Sequence, residues 1–311
     1  MRETQTDDDM ALTTAAATHG PASVPGRAAR VSVRQPGKAE QHPQAYLRRR
    51  RAIEITLAIG VPVALLVLWQ IAASRGLIDR RLYPPPTDIV SETRKQFSEQ
   101  HRWHDVWVSS RRMLWGYGFG AAAGLLFGYV MGMSRLLRAS LEPTLNALYT
   151  VPKLAILPLF LLILGFGEEP VIAVIGVTVF FFVWIQSMAS VMAVPDGYRE
   201  AASSFGANRW QMFRHVLLPA SLPQVFVGLR VAAGVAVLTL IGVEFVFAPG
   251  EAGIGYVINQ GRQVLLPKQT YMGIIIAAVM GVIFITIVKV IGRLVAPWAP
   301  HERAGEQGMA R

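Results

Sequence analysis

Residues 199–223 read REAASSFGANRWQMFRHVLLPASLP, between the apolar runs FFFVWIQSMASVM (180–192) and QVFVGLRVAAGVAVLTLIG (224–242). Three arginines, a glutamate and a histidine interrupt sequence that is otherwise suited to lipid. Gly206 fits a left-handed position that ends a first short helix carrying Tyr198, Ala201, Ala202 and Phe205. Pro195 suits that helix's first position. Asn208 with Gln211 has the spacing of a capping box and opens a second helix with Trp210, Phe213 and Leu217 on one side. Pro219 and Pro223 then read as the turn into the next apolar run. The expected object is a compact two-helix projection with an alanine-rich tip, shaped to enter a groove on a partner protein.

The chain around it is built for a bilayer. Of its residues 52% are hydrophobic and 16% charged, against roughly a quarter charged in soluble domains. Apolar runs of about 20 residues are long enough, at ~1.5 Å per residue, to cross ~30 Å of hydrocarbon. Six spans are expected, at about 53–73, 114–133, 145–164, 171–192, 222–245 and 272–295, all helical, because backbone groups in lipid need partners within the segment. The fold class is all-α, a polytopic membrane protein. Residues 1–47 read as a disordered tail with too little apolar content to offset ordering entropy, 48–300 as the membrane domain and 301–311 as a short tail.

Of the 30 Lys and Arg, 18 fall on the side of the N-terminus and 10 on the other, with Arg48, Arg49, Arg50 and Arg51 directly before the first span. By the positive-inside rule both termini are expected in the cytoplasm. The net charge of +10 is read in the same way, as a topology signal and not as a nucleic-acid surface. With no cysteine, disulfides and thiolate metal sites are excluded.

Within the spans, Gly116, Gly120, Gly124, Gly128 and Gly132 form a stripe that lets another helix approach closely, in this chain or a second one. Pro152 and Pro158, with Lys153 beside the first, should kink or break the third span, and irregular backbone at membrane depth belongs where protein or water surrounds it. Pro152, Lys153 and Pro158 are therefore candidates for a translocation path, with a kinked packing helix as the alternative. Arg230 and Glu244, 14 residues apart in the fifth span, stand about 21 Å apart along a helix. They cannot pair in one straight helix. Each either snorkels to an interface or marks a helix contact or a gate, and as a gate Arg230 and Glu244 are further candidates for the translocation path.

Glu200-Ala201-Ala202, three residues, Gly206, nine residues, then Val216-Leu217-Leu218-Pro219 resembles the EAA signature of permease subunits of bacterial ABC importers, with valine where that signature has isoleucine. LYPPPTDIV (82–90), WVSSRRMLWGYGFG (107–120), VPKLAILPLFLLILGFGEEP (151–170) and GVEFVFAPGEAGIG (242–255) are similar to the nitrate/sulfonate/taurine-type importer permeases. The resemblance covers roughly residues 82–297. It implies a type-1 importer permease fold in which Glu200, Ala201, Ala202, Phe205 and Gly206 form the tip that docks on a separate ATPase, with Leu218 and Pro219 at its exit. It further implies ATP bound by that partner and no cofactor in this chain, an extracytoplasmic solute-binding protein, a second permease chain in a homodimer that sets twelve helices around one path, and a place in the bacterial inner membrane. The chain has no nucleotide loop of its own: its one Gly-Lys pair, Gly37-Lys38, is followed by Ala39, not Ser or Thr. A membrane enzyme would need clustered His, Asp or Glu, and all six histidines lie outside the spans. A self-contained channel or secondary carrier is the competing reading.

Overall fold

The computed structural model describes residues 43–99 and 102–299, with side chains from residue 52 onward. The expected tails therefore fall largely outside the described residues, as do the Gly37-Lys38 pair and the side chains of Arg48–Arg51. The first helix begins at Pro43, so the last residues assigned to the tail are helical.

The described residues are helical, without strand. The elements are α1 (Pro43–Ser74), α2 (Pro86–Glu99), α3 (Trp103–Met133), α4 (Arg135–Tyr149), α5 (Leu157–Leu164), α6 (Glu169–Met192), α7 (Asp196–Ser204), α8 (Arg209–Val246), α9 (Ile254–Gln263) and α10 (Pro267–Val295). The chain divides into two compact units within α1, at Val61/Pro62. The first contains the leading part of that helix, and everything below belongs to the second. Among the described residues five helices (α1, α3, α6, α8 and α10) are long and apolar enough to span; α4 and the segment 153–164 form a pair bent by 86° that makes six if the two together count as one span.

Packing centres on α3 against α6. A Cβ at Gly116 would lie 2.7 Å from Ile175, at Gly124 2.8 Å from the Phe180 carbonyl, at Gly128 2.6 Å from Ser187 and at Gly132 2.8 Å from Val191; at Gly120 it would fall on the Gly176 carbonyl oxygen. The stripe thus seats the fourth span of the same chain. The small residues Ala232, Ala233 and Ala236 of α8, which also packs on α6, are fully buried and complete the core with Val174, Ile175 and Leu240. Outward-facing residues stay apolar: Leu65, Leu68, Val282 and Leu294 are exposed, as lipid allows and water would not.

At three points the elements differ from the expected spans and connections. Residues 134–142, between two expected spans, belong to α4, whose N-terminus is capped by the Ser134 side chain on the Leu137 amide. The third span does break at its prolines, as expected, and is not one helix over 145–164. It breaks at 150–152, passes through a 3-10 turn at Lys153–Ile156 and resumes as α5. Pro158 sits in the first turn of α5, where no amide donor is needed, and Pro143 is accommodated inside α4. No turn separates the projection from the fifth span, because α8 runs without interruption from Arg209 to Val246. A π-helical stretch at Met212–Leu217 widens the helix just before Pro219 and so relieves the ring's clash with the preceding turn. Pro223 has no amide hydrogen for the Pro219 carbonyl, which instead accepts from Trp298 Nε1 at 3.3 Å. Finally, the segment 246–271, between the fifth and sixth expected spans, contains α9.

Candidate functional site

The projection is α7, a short turn, and the start of α8. Gly206 adopts φ +76°, and Pro195 stands one residue earlier than expected, at the cap position before α7. Asn208 and Gln211 form the reciprocal capping box: the Asn208 side chain accepts from the Gln211 amide at 2.8 Å, and the Gln211 side chain accepts from the Asn208 amide at 2.9 Å. Arg199 Nη2 donates to the Val191 carbonyl at 2.9 Å and so fastens α7 to the end of α6. Inward, Phe213 meets Tyr129 edge-on at 5.7 Å, and Leu217 is buried. Outward, Glu200 and Ala201 are exposed, Ala202 is half-buried and Phe205 is 91% exposed. Leu218 and Pro219 are half-buried at the exit. Tyr198, Ala201, Ala202, Phe205 and Trp298 line a shallow groove beside the tip.

At the opposite end of α8, Glu244 is 1% exposed and Arg112 of α3 fully buried. Arg112 Nη1 donates to Glu244 at 2.9 Å and to the Ala252 carbonyl at 2.8 Å, and Nη2 donates to the Pro249 carbonyl at 2.9 Å. The Ser109 hydroxyl donates to the same carboxylate at 2.8 Å. Isolated charges at this depth would be prohibitive, and such a pair persists only when further hydrogen bonds support it. The turn 249–253 supplies them to both terminal nitrogens of the guanidinium, leaving Nε alone without a partner among the described residues. Gly250 (φ +69°), Glu251 (φ +52°) and Gly253 (φ +124°) fold the backbone so that carbonyls 249 and 252 point at the guanidinium.

The first amides of α9 complete the cluster. Those of Gly253, Ile254 and Gly255 donate to Asp105 (3.0 Å), Ser109 (2.9 Å) and Glu244 (3.0 Å). Three orphan donors of a helix start thus meet two carboxylates and a hydroxyl, with the helix dipole favouring the negative charge. A Cβ at Gly253 would lie 2.6 Å from the Glu244 carboxylate, and at Gly255 2.5 Å from Glu244 Cβ. Glu244 is therefore a helix contact, tying α3, α8 and α9 together. Its partner is Arg112 and not Arg230. Sequence reasoning missed Asp105, Ser109 and Arg112. The available signal was their register, since 105, 109 and 112 continue the glycine stripe toward the N-terminus of α3 on the same helical face.

The remaining candidates lie apart. Lys153 donates to the Tyr149 carbonyl and stands 4.6 Å from the Tyr149 ring and 4.9 Å from the Phe181 ring. Pro152 and Pro158 are exposed at the bend. Arg230 lines a cavity with Lys289 and Arg293.

These elements make a helical bundle with a sharply bent helix pair, a buried polar cluster at one end of α8 and a capped, exposed two-helix projection at the other. The profile of the family described as "Binding-protein-dependent transport system inner membrane component" matches residues 120–299. The chain belongs to that family and is a permease subunit of an ABC importer, a transporter and not an enzyme. SsuC of Bacillus subtilis (strain 168), described as an aliphatic sulfonates transport permease protein, is 31% identical over 238 residues, 76% of this chain and 86% of its own. The taurine transport system permease protein TauC of Escherichia coli (strain K12) is 29% identical over 250 residues, 79% of this chain and 90% of its own. The nitrate import permease protein NrtB of Synechococcus elongatus is 28% identical over 246 residues, 75% and 86% of the two chains. Among solved structures, the inward-facing MetNI methionine ABC transporter aligns with a TM-score of 0.51 at 20% identity, over 64% of this chain and 98% of its own, which supports the fold.

Proposed function

We propose that two copies of this chain form the translocation unit of an importer for a small organic or inorganic oxyanion, of the sulfonate, taurine or nitrate class. A separate ATPase docks on the 196–218 projection and binds the ATP, and both termini face the cytoplasm. The cargo class rests on the names of the relatives above. Docking rests on one observation: an alanine-flanked tip on which Phe205 is 91% exposed, fixed by a capping box and continuous with a span. Pro152, Lys153 and Pro158, at the bend with its exposed outer face, border the path. ATP-driven closure of the ATPase pair draws the two projections together and tips the bundles outward-open; hydrolysis returns them.

The test is uptake by proteoliposomes containing the chain, its ATPase and its solute-binding protein, with taurine, an alkanesulfonate and nitrate each offered. ATP-dependent uptake of one of them, lost on Phe205→Ala, is expected. Full-rate uptake by the chain alone would establish the self-contained carrier instead.

A further inference from the structure

At the end of the bundle that carries the projection, α8 and α10 approach so closely that a Cβ at Gly292 would lie 2.8 Å from Phe226. Beside this contact opens a cavity of about 330 Å³. Arg230 of α8 lines it together with Lys289 and Arg293 of α10, four residues apart and hence on one side of that helix. Much of the remaining wall is apolar, with Pro223, Phe226 and Pro297, and no Asp or Glu lines it among the described residues. The segment after α10 forms its rim, folded back over α8 by the Trp298–Pro219 hydrogen bond.

We propose that this cavity binds the phosphate group of an anionic phospholipid. Cationic side chains gathered around a space of this size favour an anion of phosphate type. Arg supplies the planar fork that suits such an oxyanion, and Lys a point charge. Two features favour a lipid over a free ion. The apolar wall disfavours a fully hydrated anion, and Val290, Ile291, Leu294 and Val295 on the same turns of α10 are exposed, giving acyl chains an apolar surface beside the headgroup. The site touches α8 within about one turn of Pro219, so its occupancy bears on the helix that leads into the projection.

The experiment uses the assembled transporter, this chain with its ATPase, purified from mixed phosphatidylglycerol and phosphatidylcholine vesicles, with retained lipid read by native mass spectrometry. Wild type should retain phosphatidylglycerol preferentially. The variant R230Q/K289Q/R293Q should lose the preference by about a hundredfold, at ~1 kcal/mol for each of the three cations. R230K/K289R/R293K should keep it. K289Q/R293Q, altering only exposed side chains, should lose part of it and guards against a folding defect. Equal retention of the two lipids by wild type, or an undiminished preference in both neutralised variants, overturns the proposal. A thermal shift with inorganic phosphate in lipid-free detergent, alongside no phosphatidylglycerol preference, would assign the cavity to a free anion and overturn the lipid.

Discussion

Gly206 takes φ +76° in open space, and nothing lies within 4 Å of the point that a Cβ would occupy. Substitution there therefore costs backbone strain and no collision. Gly206→Asn should be tolerated, since asparagine visits the left-handed region. Gly206→Val should distort the turn by about 1–2 kcal/mol and reduce transport-coupled ATPase activity while membrane insertion, read by fractionation, stays normal. The Arg112–Glu244 pair predicts a larger effect. Glu244→Gln leaves the buried Arg112 guanidinium with only the half-buried Glu168, 3.6 Å from Nη2, as counter-charge and should cost roughly 3 kcal/mol, read as a lowered melting temperature in detergent. Arg112→Met together with Glu244→Gln should recover part of that loss, because no uncompensated charge remains. The pair was half legible in the sequence. Glu244 stands out as a carboxylate in an apolar run, but its partner comes from a segment where Arg111 and Arg112 resemble ordinary headgroup-facing cations. A charge count assigns both to topology, yet Arg112 is buried and Arg111 pairs with Glu168.

The glycines of α3 separate two kinds of position on a single helix. A Cβ at Gly120 would strike a backbone carbonyl that cannot rotate away, whereas at Gly118 it would meet nothing within 4 Å. Gly120→Ala should force α3 from α6 and lower thermal stability. Gly118→Ala should be neutral or stabilising by up to about 1 kcal/mol, from helix propensity. Period four was readable because packing geometry is written in the spacing itself. The path of α8 was not. Proline ordinarily announces a helix end, and the two features that overrule it at Pro219 and Pro223 are a widened turn and an indole 79 residues away. A corresponding prediction concerns that indole. Trp298→Phe should cost about 0.5–1 kcal/mol, and the cost should vanish in a Pro223→Ala background, where an amide becomes available to the Pro219 carbonyl. A double-mutant cycle on melting temperatures reads this directly.

For the whole molecule, class and architecture were legible through six apolar segments and one polar signature whose spacing is mechanically constrained. The bend between α4 and α5 was legible as a proline cluster, but not in angle or position. The polar cluster at the far end was illegible as a unit because its members are as distant in sequence as Ser109 and Glu244, 135 residues apart. Orientation is directly testable, since the chain contains no cysteine. A single cysteine at Phe205 should react with an impermeant thiol reagent only in inside-out vesicles. One at Phe166, exposed in the loop before α6, should react only in right-side-out vesicles.

The uninterrupted run of α8 has a mechanical consequence. Its 38 residues make a rod of about 57 Å, with the projection at one tip and Glu244 close to the other. A tilt of about 5° about one end would swing the opposite end by roughly 5 Å, nearly a full helical turn of pitch. Such a stroke reaches the turn at 249–253 without crossing a loop, so the stiffness of the widened turn at 212–217 and of the Pro219–Pro223 step, where one backbone hydrogen bond is missing, sets how faithfully a push at one end of the rod arrives at the other.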